Sequence, residues 1–154
     1  MTDTPVLTER TSTMAVTYTA TVEVTGEGRN GGTARSDDGL LEHRLSIPKP
    51  LGGAGDGTNP EQLFAAGWAA CFLGALRHAA AQRRIRLTST DITAEVTLQH
   101  GDDGEFTLRA TLAPRLGGVD RRTAEELAEA AHRICPYSKA IRGNIPVTID
   151  VTAV

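Results

Sequence analysis

At 154 residues the chain can bury about 70% of its unfolded surface in a core of its own, as one domain or one subunit of an oligomer. Its formal net charge is −3, its charges are evenly spread, and 4% of its residues are aromatic. That balance argues against nucleic-acid and anionic-membrane partners, since there is no basic stripe with stacking residues between its charges.

Residues 1–14 read as a loose N-terminal segment, polar and threonine-rich, without the cationic start and apolar run of a signal peptide. From Val16 to Val24 apolar residues alternate with Thr17, Thr19, Thr21 and Glu23, the pattern of a half-buried strand. A glycine-rich turn, Gly26 to Gly32, carries Arg29 at its centre. Ser36-Asp37-Asp38-Gly39 is a second turn, and Leu41, His43, Leu45 and Ile47 alternate after it. Pro48 to Gly57, with two prolines and four glycines, predicts no regular structure.

A first helix starts cleanly, with Asn59 as N-cap, Pro60 at the first helical position and Glu61 in the first turn. From Leu63 to Leu76 it is apolar on every side, so it needs enclosure, yet that run is short for a bilayer span. Gly67 and Gly74 fall on nearly one face and would let another backbone approach, which predicts a homodimer with this helix at its centre. A hairpin follows: Ile92 to Leu98, the turn Gly101-Asp102-Asp103-Gly104, then Phe106 to Leu112. A second helix, from about Asp120 to Cys135, puts Ala124, Leu127, Ala128, Ala131, Ile134 and Cys135 on one stripe. A last strand alternates Ile145, Val147, Ile149 and Val151. The expectation is a single α+β domain over residues 1–154, with antiparallel sheets, two main helices and a cytoplasmic address.

Two cysteines, Cys71 and Cys135, are the chain's only thiols. Either one alone is more often a small buried hydrophobe than a reactive group. An even pair in a chain of this kind points more to transient redox chemistry than to a permanent staple. Cys135 closes its helix at the end whose dipole disfavours a thiolate. The four histidines, at 43, 78, 100 and 132, have no metal-ligand spacing, so no metal is expected.

Gly57-Thr58-Asn59-Pro60-Glu61-Gln62-Leu63-Phe64-Ala65-Ala66-Gly67, ending in Ala70-Cys71-Phe72, resembles the first signature of the organic hydroperoxide resistance (Ohr) proteins of the OsmC/Ohr superfamily. Cys135-Pro136-Tyr137-Ser138, followed by Arg142-Gly143-Asn144-Ile145, resembles their second. Leu45 to Gly53 is similar to the stretch that leads into their first helix, and the likeness runs from about Thr17 to the C-terminus. Tyr137 and the Asn-Pro-Glu-Gln start resemble the Ohr branch more than the osmotically inducible OsmC branch. Trp68 stands where tyrosine is usual, and Ile141 where a small or β-branched polar residue is common.

The resemblance implies a swapped or intertwined homodimer with central helices and a thiol peroxidase activity. Cys71 would be peroxidatic, forming a sulfenic acid, and Cys135 resolving, forming a disulfide with it. The disulfide would be reopened by an external dithiol, typically a lipoylated protein, with no cofactor bound. Arg29 would stabilise the thiolate and Glu61 would orient Arg29. Phe72, Trp68, Tyr137 and Ile141 would line the substrate pocket. Burial alone would raise the pKa of Cys71, so a cation must be supplied, and arginine keeps its charge in a desolvated site. Alone, Arg29 reads as a solvated turn residue and Glu61 as a helix-dipole glutamate. The alternatives are an OsmC-type stress peroxidase, a cysteine hydrolase and a non-enzymatic redox sensor. A hydrolase would need His78 as base, but two helical turns put it roughly 10 Å along the axis from Cys71. A sensor lacks a DNA-reading helix or basic patch.

Overall fold

A computed structural model describes residues 15–154; the expected loose segment 1–14 lies outside the described residues. Two sheets and three helices make up the α+β fold. The first sheet contains β1 (Val22–Gly26), β2 (Gly32–Ser36) and β3 (Glu42–Arg44), antiparallel throughout. Arg29 sits in a 3-10 turn, Gly28–Asn30, between β1 and β2. The chain then leaves this sheet through a bridge between Leu45 and Thr58, which ends the expected Leu41–Ile47 alternation after Arg44. Within the Pro48–Gly57 stretch one short 3-10 turn forms, Lys49–Leu51, helped by Pro50.

The first strand departs from expectation. Pairing begins only at Val22, and β1 is exposed on both faces, because among the described residues no second layer lies beneath it. Val16 and Tyr18, expected on a half-buried face, are exposed as well.

Helix α1 (Pro60–Gln82) begins as the sequence requires: the Asn59 side chain accepts from the backbone N–H of Gln62 at 2.9 Å. It runs for 23 residues and continues past the end of the apolar run, and among the described residues it is the one helix long and apolar enough to cross a membrane. Here Trp68, Phe72, Leu76, Ala79 and Ala80 form a buried stripe that anchors the core. Ala66, Ala70, Gly74 and Ala81, on the other side, stay exposed, so one chain encloses only part of this helix.

β4 (Ser89–His100) and β5 (Phe106–Gly117) pair antiparallel over their full length. Helix α2 (Arg121–Ile134) starts at Asp120, whose carboxylate accepts from the Thr123 N–H, and buries Ala124, Leu127, Ala128 and Ala131. Ile134, expected on that stripe, is 40% exposed. A third helix, α3 (Pro136–Ile141), follows directly and was not anticipated. The connection through α2 and α3 is a crossover, so the last strands β6 (Val147–Ile149) and β7 (Thr152–Ala153) return parallel to β5. The second sheet is therefore mixed, with its long β4–β5 pairing antiparallel as in the mostly antiparallel sheets expected and its last two strands parallel.

The core lies between α1, α2 and β5, with Leu112, Leu116 and Leu127 fully buried against Trp68, Phe72 and Leu76. Trp68 and Phe72 thus leave the substrate-pocket role expected for them. A helix apolar on all sides gives no sequence signal of which face meets the core, and here the core took the face with the largest side chains. Phe72→Ala should cost about 3–5 kcal/mol of folding free energy in urea titration. A change below ~1 kcal/mol would contradict core placement.

Candidate active site

Pro136 sets the geometry of the second thiol. The residue before a proline is pushed out of the helical region, and Cys135 has φ −60 and ψ 121. It therefore ends α2 and caps α3, with proline at the first position of the new helix. This corrects the expected dipole argument: Cys135 stands between the C-terminus of one helix and the N-terminus of the next, so the one-sided dipole does not apply.

Cys135 is fully buried, and its Sγ lies 3.3 Å from the Sγ of Cys71 on α1. The residues are 64 positions apart and are joined by packing of α1 on α2 and α3. Both are free thiols. Cys71 is half-buried and lines a cavity of about 590 Å³. Gly74, Ala75 and Ala79 of α1 and Ala130, Ile134 and Pro136 opposite complete most of its wall. Ile134, displaced from the core stripe, serves this wall instead. His78, Gln82 and Arg83 form its polar end. Cys135 does not reach the cavity surface, so an incoming molecule meets Cys71 first.

Burial pushes the Cys71 thiol above its ordinary pKa, the adjoining Cys135 thiol adds to this, and the backbone N–H of Tyr137 opposes it. At neutral pH, without a cation, Cys71 is therefore held protonated.

Arg29 and Glu61 are brought together: Arg29 Nη2 donates to Glu61 Oε1 at 2.5 Å, although they are 32 residues apart. Glu61 sits in the first turn of α1 and Cys71 ten residues further on, about 15 Å along the axis. Neither Arg29 nor Glu61 lines the cavity beside Cys71. One chain thus assembles two separate clusters, a thiol pair and an ion pair.

Tyr137 and Ile141 line a separate apolar groove with Leu63, Phe64, Gly67 and Ala140. The Tyr137 ring packs over Gly67, where a Cβ would meet Cε2 at 3.2 Å. Gly67 is therefore used by its own chain, which corrects its expected role in close approach of a partner backbone; a Cβ at Gly74 would meet open space. His78 shares the wall with Cys71 but lies two turns away, which leaves no general-base contact. Among the described residues no three histidine, cysteine or acidic side chains gather as a metal site. The Tyr137 N–H was missed as a site group; Pro136 directly after a cysteine was the signal for a new helix start there.

The sequence profile of the OsmC-like proteins matches residues 53–150. OhrB, an organic hydroperoxide resistance protein of Bacillus subtilis, is 45% identical over 85% of this chain and 96% of its own. The chain belongs to the organic hydroperoxide resistance proteins of the OsmC-like family. A relative of the same name in Xanthomonas axonopodis pv. citri is 46% identical over 88% of this chain and 95% of its own. The crystal structure of an organic hydroperoxide resistance protein from Legionella pneumophila superposes with a TM-score of 0.84. It is 44% identical and covers 90% of this chain and 99% of that one. Membership implies a part in peroxide detoxification, by an activity of peroxidase type.

The unequal access of the two thiols is testable on the reduced native protein. A small alkylating agent should label Cys71 first and Cys135 only on unfolding, as read by peptide mass mapping. Faster labelling of Cys135 would contradict the cavity geometry.

Proposed function

We propose that this protein is a cysteine-based peroxidase that reduces organic hydroperoxides to alcohols. The observation that carries the reading is the layering of the thiols: Cys71 on a cavity wall, with Cys135 buried 3.3 Å behind it. The Cys71 thiolate attacks the terminal peroxide oxygen, the O–O bond breaks, and the alcohol leaves with the proton supplied in the site. Cys71 is left as a sulfenic acid, the reversible first rung of thiol oxidation. The Cys135 thiol then condenses with it, releasing water and forming a disulfide before further oxidation can occur. An external dithiol of the lipoamide type, carried on a lipoylated protein, reopens the disulfide, and no bound cofactor takes part. The apolar wall built from Ala75, Ala79, Ala130, Ile134 and Pro136 favours organic over hydrogen peroxide. A cytoplasmic setting, where thiols stay reduced between turnovers, suits this cycle.

The protonated state that burial imposes on Cys71 needs a counter-charge. Within one chain the Arg29–Glu61 pair stands about 15 Å along α1 from that sulfur. In our reading two chains form an intertwined homodimer, and the Arg29–Glu61 pair of each activates Cys71 of the other. The exposed Ala66, Ala70, Gly74 and Ala81 side of α1 and the uncovered β1 are the surfaces such a partner would bury.

Steady-state assays with dihydrolipoamide should give rapid turnover of tert-butyl or fatty-acid hydroperoxide and much slower turnover of hydrogen peroxide. No turnover with any dithiol, or a preference for hydrogen peroxide, would refute the reading. Arg29→Ala should shift the thiolate titration of Cys71 upward, so oxidation at neutral pH falls about tenfold per pKa unit and recovers as pH rises. An unchanged titration midpoint would leave Arg29 without this role. Mixing inactive Cys71→Ser and Glu61→Ala chains should restore activity in the mixed dimer, and a fully active monomer would exclude shared sites.

A further inference from the structure

Cys135 is the single residue between α2 and α3, and its extended backbone makes it a pivot. On the α2 side it is held by the core residues Leu127, Ala128 and Ala131. On the α3 side, Arg142 just beyond the helix donates to the His132 carbonyl at 2.7 Å, which fixes α3 to α2. Neither of these contacts fixes the segment to α1, where the other thiol resides.

One buried polar contact does. Ser138, three residues after Cys135, is fully buried, and its Oγ accepts from Trp68 Nε1 at 3.1 Å. Trp68, three residues before Cys71, is also fully buried. The bond therefore ties α1 to α3 about one helical turn from each sulfur. An indole N–H is a donor only, and buried in a core it has to find an acceptor. Trp68 belongs to the buried hydrophobic cluster, with the Phe64 ring edge-on at 5.7 Å.

We propose that the Trp68–Ser138 hydrogen bond is the tether that aligns Cys135 with oxidised Cys71. Trp68 and Ser138 are then positioning residues for disulfide formation and take no part in the first oxidation. The proposal rests on the reading of Cys71 as the attacking thiol. In the step concerned, the Cys135 sulfur attacks the sulfenic sulfur of Cys71. The S–S bond forms, the S–O bond breaks, and the departing hydroxyl takes the Cys135 proton to leave as water. No other oxidant or reductant enters. The sulfurs begin at 3.3 Å and must close along a defined line, so a small drift of α3 removes a large part of the rate.

Rapid mixing with one equivalent of tert-butyl hydroperoxide separates the two steps. Peroxide consumption reads the first, and loss of dimedone-reactive sulfenic acid with appearance of the disulfide reads the second. In Ser138→Ala and in the double variant Trp68→Phe/Ser138→Ala, the first step should stay within about twofold of wild type. The second should slow by about tenfold or more, with over-oxidised Cys71 appearing at lower peroxide levels. The double variant leaves no orphaned donor, so it should regain thermal stability relative to Ser138→Ala while resolution stays slow. Wild-type resolution in both variants would overturn the tether, as would equal slowing of both steps. Resolution that recovers together with stability would also overturn it, since the bond would then be only structural. Absence of any Cys71 sulfenic acid in the wild-type protein would instead remove the underlying reading, and the tether with it.

Discussion

Pro136 forces the backbone of Cys135 out of the helical region, and the relation of the two thiols follows from that. Had α2 run on, Cys135 would lie on its apolar stripe as a small core residue. The break turns the chain into α3 and leaves Cys135 as the innermost atom group at the junction, facing α1. α1 in turn is fixed by Trp68, Phe72 and Leu76, three fully buried side chains at four-residue spacing. Each full burial of such a side chain is worth about 1.5–3 kcal/mol, so the helix cannot rotate to bring a different residue to Cys135. Cys71 occupies the margin of the same face, close enough for contact and near enough to the surface to meet a cavity.

The electrostatics work against reactivity in one chain. Burial favours the neutral thiol, and the Tyr137 N–H opposes it. The Arg29–Glu61 ion pair is complete in itself yet stands at the other end of the helix. Helical rise decides this: ten residues cannot be folded back within one straight helix. The exposed small-residue side of α1 and the uncovered first sheet have the same origin, a chain whose apolar surface exceeds what it can cover alone.

Much of this was legible in the residues, for local reasons. Asn59-Pro60-Glu61 marks a helix start by capping chemistry, and Gly101-Asp102-Asp103-Gly104 marks a hairpin by turn chemistry; both appear where expected. The joining of Cys71 to Cys135, and of Arg29 to Glu61, came from the family likeness, since long-range contacts leave no trace in spacing. Errors arose where the pattern was degenerate. An all-apolar helix does not say which side meets the core, so nothing in the residues themselves corrects the pocket role that the family likeness implies for Trp68 and Phe72. The strand pattern around Val147 does not tell parallel from antiparallel; the intervening helices do. Gly67 looked free for a partner because the Tyr137 ring that fills its space arrives from 70 residues away.

The central claim is that the buried thiol behind Cys71 completes the same reaction cycle, within one chain. Reduced protein should be treated with one equivalent of tert-butyl hydroperoxide, denatured under alkylating conditions without reductant, and mapped by peptide mass spectrometry. The account predicts loss of two hydrogens per chain and a single cross-linked peptide pair joining Cys71 to Cys135 of the same chain. Unlinked cysteines with both thiols still free, or a disulfide between chains, would contradict it.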